Sequence, residues 1–181
     1  SDVTSYRLAG STSSNHPLSI HNRGTATVSS DGKYVIYTAH TTLGTNTRFC
    51  MVFDREQVES ASNTLDVRPL SYFKLGNNGL WESHVVQDLA SDGKYIYVYC
   101  GGVNPRDTKT VYIYSMGGFE IGYFQADGSL GEYTDSELNG NGPLGTPVQM
   151  EPEGIAVRGN KLIILSTDVW QSGSNYTRRG K

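Results

Sequence analysis

Several function classes are excluded by what this sequence has little of. It carries two cysteines in 181 residues, Cys50 and Cys100, and no C-x-x-C pair, which argues against a thiolate metal centre. Both sit in apolar surroundings, Cys50 in Arg48-Phe49-Cys50-Met51-Val52-Phe53 and Cys100 at the end of Tyr95-Ile96-Tyr97-Val98-Tyr99. They read as buried free thiols in strands rather than as a disulfide. Charge of one sign is also lacking. Fifteen Lys and Arg stand against 18 Asp and Glu, a net charge of -3, which gives no electrostatic case for nucleic acid or an anionic membrane as partner. No apolar run approaches the ~20 residues that span a bilayer, so no membrane insertion is expected. The start, SDVTSYRLAG, lacks the basic-then-apolar order of a signal peptide. No Walker loop, dinucleotide fingerprint or nucleophile elbow occurs.

Hydrophobic residues make up 36 %, while Gly numbers 21 and Tyr 12. This balance favours strands and turns over helices, since Tyr and Thr suit a half-buried pleated surface. The strongest positive signal is internal repetition. Ser29–Tyr37 reads SSDGKYVIY and Ala90–Tyr99 reads ASDGKYIYVY, offset by 61 residues. A weaker third copy, Ala156–Leu165, follows at an offset of 66. Asp31-Gly32, Asp92-Gly93 and Gly159-Asn160 are tight-turn signals, because positive φ is cheap for Gly.

Each turn predicts a preceding strand (Thr25–Ser29, Val85–Ala90, Gly154–Val157) and an apolar strand after it. Thr47–Phe53, Arg68–Leu75, Thr110–Tyr114 and Phe119–Gln125 complete four strands in the first two modules. The third module stops at Arg178-Arg179-Gly180-Lys181, where its third strand is expected to begin. A short helix is expected over Asp54–Ser60, behind an N-capping Asp. His40 reads as a loop residue, Asp107-Thr108-Lys109 and Arg178-Arg179 as solvated loop charges, and Leu130–Thr146 as a long surface insertion. Four strands per ~60 residues, repeated, predict an all-β fold of β-propeller blades. The expected organisation is one propeller-like domain over 1–181, with modules at about 20–80, 81–145 and 146–181, the last truncated. So few blades predict an incomplete propeller, completed by the rest of a larger chain or by another copy.

In a propeller the innermost strands gather at one face. That gathers His21 and Arg23 with His84, Gln87 and Asp88, and with Glu151 and Glu153. Trp81 and Trp170 lie just outside these strands, and Trp170 is a candidate stacking platform. Polar groups of this kind suit the hydroxyls of a sugar, and equally suit the backbone groups at strand junctions. Asp88, Glu151 and Glu153 are the alternative catalytic set, since glycosidases need two carboxylates flanking the scissile bond. His21, His84, Glu151 and Glu153 have chemistry that suits a divalent ion. No segment has metal-ligand spacing, so no metal or cofactor is expected.

His84-x-x-Gln87 ahead of Asp92-Gly93-Lys94-Tyr95-Ile96-Tyr97 resembles the repeat of phage tail receptor-binding propellers and the related helveticin-type propellers. Glu151-Pro152-Glu153-Gly154-Ile155-Ala156-Val157, with Asn160-Lys161-Leu162, is similar to another of their inner-strand motifs, and to the NHL and lactonase-like propellers. The first resemblance implies recognition of a cell-surface glycan by a virion or extracellular protein, often a trimer. The alternatives are a polysaccharide hydrolase or lyase and a purely structural scaffold.

Overall fold

The computed structural model describes residues 22–40, 48–60, 67–76, 86–102, 109–125, 139 and 146–180. Three antiparallel sheets account for nearly all of them. Sheet 1 is β1 (Asn22–Val28), β2 (Tyr34–His40), β3 (Arg48–Asp54) and β4 (Ser71–Lys74), in sequence order. Sheet 2 repeats that order with β5 (Val86–Ser91), β6 (Tyr95–Cys100), β7 (Thr110–Ser115) and β8 (Glu120–Gln125). Sheet 3 has β9 (Thr146–Arg158), β10 (Lys161–Ser172) and β11 (Asn175–Gly180). The fold is all-β with sequential four-stranded sheets, and the described residues form no closed ring.

The Gly turns nucleate the hairpins as their chemistry requires. Gly32 and Gly93 adopt φ of 74° and 87°. In the first turn Asp31 Oδ1 accepts from Ser29 Oγ at 2.6 Å and from Lys33 N at 3.2 Å. In the second, Asp92 Oδ1 accepts from Lys94 N at 2.8 Å and Tyr95 N at 2.6 Å, and Tyr97 Oη donates to Oδ2 at 3.0 Å. Burial pushes the Asp92 carboxyl up. The hydrogen bonds from Tyr95, Lys94 and Tyr97 outweigh it and leave the group below its ordinary value.

Alternation along the strands determines how the sheets stack. Cys50 and Val52 of β3 and Ile36 of β2 pack with Val86, Leu89, Ile96, Val98 and Cys100 of sheet 2. The intervening Val35, Tyr37, Met51 and Phe53 turn away from sheet 2. They meet Val58 of α1 (Arg55–Ser60), the expected helix, whose cap is Asp54 Oδ1 accepting from Gln57 N at 3.0 Å. On the far side of sheet 2, Ala90, Tyr97, Tyr99 and Val111 pack with Ile155, Val157, Leu162 and Ile164 of sheet 3. Sheet 2 is therefore covered on both faces. Cys50 and Cys100 are free and buried, and burial pushes both thiols up.

Three expectations need correction. The third strand of the last module does not await residues beyond Lys181. It is β11, paired with β10 through the Gly173 turn (φ 61°), a Ser-Gly-Ser signal that the repeat alignment did not weigh. His40 is not a loop residue but the last residue of β2, opposite Asn22 and Arg48. Lys109 is not a solvated charge, since it is 0 % exposed and its Nζ donates to the carbonyl of Gly102 at 2.6 Å. The Leu130–Thr146 insertion lies outside the described residues apart from Asn139 and Thr146.

The sheets are tied where turns and strand ends meet. Ser30 N donates to Ser91 O at 2.8 Å, joining the two Gly turns. A Cβ added to Gly93 would run into the Asp31 carboxylate, whereas one on Gly159 (φ 60°) would meet open space. Gly159→Ala is therefore expected to lose about 1–2 kcal/mol to left-handed backbone alone. Gly93→Ala should lose more, because Asp31 must also move, and urea unfolding of the two variants checks the order. The Asp92 contribution is fully present well above 3.8, the ordinary value, and is lost as pH falls through the lower folded-state value. Asp92→Asn should be less stable at neutral pH and lose less stability on acidification, read by unfolding at a series of pH values.

Candidate functional site

The inner strands share a local irregularity that the sequence did not reveal. In β5, Val86 pairs with Cys100 and Asp88 with Tyr99, so Gln87 is an extra residue. In β9, Pro152 pairs with Ser166 and Gly154 with Leu165, so Glu153 is extra. In β1, Asn22 pairs with His40 and Thr25 with Thr38, which puts an extra residue at Arg23–Gly24. Gln87 and Glu153 each stand six residues before a turn glycine, Gly93 and Gly159. A bulge breaks the ladder and re-aims side chains, and bulges concentrate beside binding sites. Each sheet thus carries such a bulge in its first strand, with further ones in β8 opposite Ile113–Tyr114 and in β9 opposite Val169–Trp170, and β5 packs against both β1 and β9.

The bulges give the candidate residues distinct environments. Gln87 is half-buried and its Nε2 donates to Glu151 Oε1 at 3.1 Å and to Gly101 O at 3.2 Å. That joins sheets 2 and 3 through one amide. Asp88 Oδ2 accepts from the backbone N–H of Ile155 at 2.9 Å, a second tie between the same strands. Glu151 is half-buried against Gln87, while Glu153, turned by the bulge, is exposed. Arg23 lies in the β1 bulge. His21, His84 and Trp81 lie outside the described residues. The structure therefore brings Gln87, Asp88 and Glu151 together at the β5–β9 junction and sets Glu153 apart from them on the surface.

Trp170 departs from its expected role. It is 1 % exposed, so its ring is interior and offers no face for a sugar to stack on. The reason is the length of β10, which continues through Ser172 and carries Trp170 into the paired region opposite Pro147 and Thr177.

Buried charges that the local sequence pattern does not mark stand near these strand ends. Arg48 is 3 % exposed and its Nη1 donates to the carbonyl of Val86 at 3.3 Å, across the junction of sheets 1 and 2. Lys109 holds the corresponding place at the head of sheet 2's third strand. Its stem is so close to Gly101 that a Cβ there would meet Lys109 Cδ at 2.6 Å and Pro152 Cγ at 3.1 Å. The signal was present, since Arg48 and Lys109 are separated by the same 61 residues as the Gly turns. Between sheets 2 and 3, the hydroxyls of Tyr99 and Ser166 share a hydrogen bond of 3.0 Å beside the buried Asp168. Burial raises the Tyr99 hydroxyl above the ordinary phenol value, opposed by the Ser166 bond and reinforced by the Asp168 charge.

This junction presents an amide and a half-buried carboxylate on a rigid strand framework. Such groups match paired hydroxyls. Asp88, engaged by Ile155 N–H, acts as a brace in this arrangement. Among the described residues no group of three or more His, Cys, Asp or Glu is placed to hold a metal ion. No helix among them is long and apolar enough to cross a membrane.

No known family matches the chain, and no curated protein matches it. Among solved structures, the fold is similar to the tail fiber of Staphylococcus aureus phage P68, with a TM-score of 0.52 and 16 % identity. The match covers 87 % of this chain and 28 % of that one.

Asp88→Ala is expected to destabilise the protein by about 1–3 kcal/mol, the usual effect of removing a charged acceptor from a buried backbone N–H. Denaturant titration against the parent protein, with m unchanged, checks this.

Proposed function

We propose that this chain is part of a viral tail attachment protein, carried on the virion or otherwise outside the cell, that recognises a glycan of the host surface. Its sheets act as propeller-type blades, and the ligand lies across the bulged inner-strand ends. The observation that carries the reading is the triple bulge. A bulge costs ladder hydrogen bonds, and its recurrence in β1, β5 and β9 beside Arg23, Gln87 and Glu153 is accounted for by a shared task at that end. The likeness to a phage tail fiber supports the setting. Gln87 and Glu151 supply a donor and an acceptor for neighbouring hydroxyls, Glu153 extends the polar rim, and Arg23, His21 and His84 lie in or just before the same strands in sequence. Affinity comes from several polar contacts per site and is raised by multivalency if the protein is oligomeric, for example a trimer.

The test is binding to purified bacterial surface polysaccharides, by glycan array and then calorimetry. The expected result is saturable binding that Glu151→Gln weakens roughly tenfold, equivalent to about 1.4 kcal/mol, with the thermal transition unchanged. No binding to any such polysaccharide would sink the reading. Polysaccharide turnover abolished by Glu151→Gln would replace it with a hydrolase or lyase.

A further inference from the structure

The repeat alignment assigns each strand face a partner, and one face has none among the described residues. Gly32, Gly93 and Gly159 align, so Ile36 and Thr38 of β2, Tyr97 and Tyr99 of β6, and Ile163 and Leu165 of β10 are equivalent positions. In sheet 1 this face packs on sheet 2, and Ile36 and Thr38 are both fully buried. In sheet 2 it packs on sheet 3, and Tyr99 is fully buried. In sheet 3 the same face leaves Ile163 and Leu165 each 48 % exposed. The opposite end of the stack is different, because α1 lies over Met51 and Phe53 there. Among the described residues sheet 1 is thus capped, and sheet 3 is open on this face at Ile163 and Leu165 though not at Val169 farther along β10.

We infer that the outer face of sheet 3 seats a further antiparallel sheet of the same Gly-turn type, carried by the same polypeptide as these 181 residues. Three observations select this occupant. First, the interface is a continuation of two that exist, with the same strand positions used twice already. Second, the turn of sheet 3 lacks the aspartate that accompanies a lysine in the other two, Asp31 with Lys33 and Asp92 with Lys94. Arg158 occupies the place of Asp31 and Asp92, and it pairs with the exposed Lys161 beside the Ala156–Ile163 pair. The covering sheet therefore brings carboxylates to that rim. Third, the solved tail fiber that shares this fold is a much longer chain, of which the match covers 28 %. A second copy of the chain fits less well, since the face it would offer in the same stacking sense already carries α1.

The experiment places a single cysteine at Ile163→Cys, or at the exposed helix position Ser60→Cys, in the natural full-length polypeptide, and follows maleimide labelling. Cys50 and Cys100 are buried and report on folding, because they label only if the variant unfolds. Expected is labelling of Ile163→Cys at least about tenfold slower than Ser60→Cys in the full-length protein, and comparable rates in the 181-residue chain. Carbodiimide coupling should then join Lys161 to an Asp or Glu of a further Gly-turn hairpin in the same molecule. Equal labelling in the full-length protein overturns the inference. So does coupling of Lys161 only to a second copy, detected by mixing isotope-labelled and unlabelled chains, or a natural polypeptide that encodes no further sheet.

Discussion

Because β6 reads Tyr95-Ile96-Tyr97-Val98-Tyr99-Cys100, neither face of sheet 2 can meet water without exposing tyrosine rings or aliphatic carbon. Covering both faces is the constraint on which the rest depends. Burying one such side chain is worth about 1.5–3 kcal/mol, and Ile96, Val98, Tyr99 and Cys100 are all fully buried. One layer comes from Cys50, Val52 and Ile36, the other from Ile155, Leu162 and Ile164. Sheets 1 and 3 need only one apolar face each to satisfy this, and their outer faces are free to take other roles. On sheet 1 that role is to receive α1. On sheet 3 the outer face still carries aliphatic side chains.

Where the sheets stack, long side chains reach backbone carbonyls at the strand ends. Arg48 reaches the Val86 carbonyl and Lys109 reaches the Gly102 carbonyl, each from the head of a third strand. Burying a cation is costly unless it is hydrogen-bonded, so these positions are fixed in place rather than adaptable. Gly101 is small because Lys109 and Pro152 leave no space for a Cβ, and Gly24 because the Tyr37 ring lies against it. An extra residue bends the strand and lets Gln87 turn from its own ladder toward Glu151 of the next sheet.

Much of the fold was legible because it rests on local chemistry. Asp-Gly turns, period-two alternation and a six-residue capped helix are written within a few residues of where they act, and each stands close to its expected place. What was not legible depends on how sheets meet. Lys109 looks like a loop charge until it is found buried against Gly101 with its Nζ on the Gly102 carbonyl, and Trp170 looks available until β10 is seen to run on through Ser172. Glu151 and Glu153, two apart, would share a face in a regular strand; the bulge that separates them is a register property, and single-sequence patterning does not carry register. The identical spacing of Arg48 to Lys109 and of Gly32 to Gly93 extends the repeat to the buried cations.

The location of the candidate site follows from this division of labour. At the turn end, the sheets are locked by the Ser30–Ser91 hydrogen bond and by Asp31 held over Gly93, which leaves those carboxylates committed to backbone. At the bulged end, Asp88 is likewise committed, to Ile155, and Gln87 holds the Gly101 carbonyl, but Gln87 and Glu151 also bind each other side chain to side chain. Hydrogen bonds between side chains can be exchanged for bonds to a ligand without breaking a ladder, whereas those to backbone cannot. Asp88 and Arg48 keep the strands in place while Gln87 and Glu151 present groups that a hydroxyl-rich ligand can share. A recognition surface built this way is rigid in its frame and exchangeable at its tips, which suits a protein that must hold one shape while touching a variable surface.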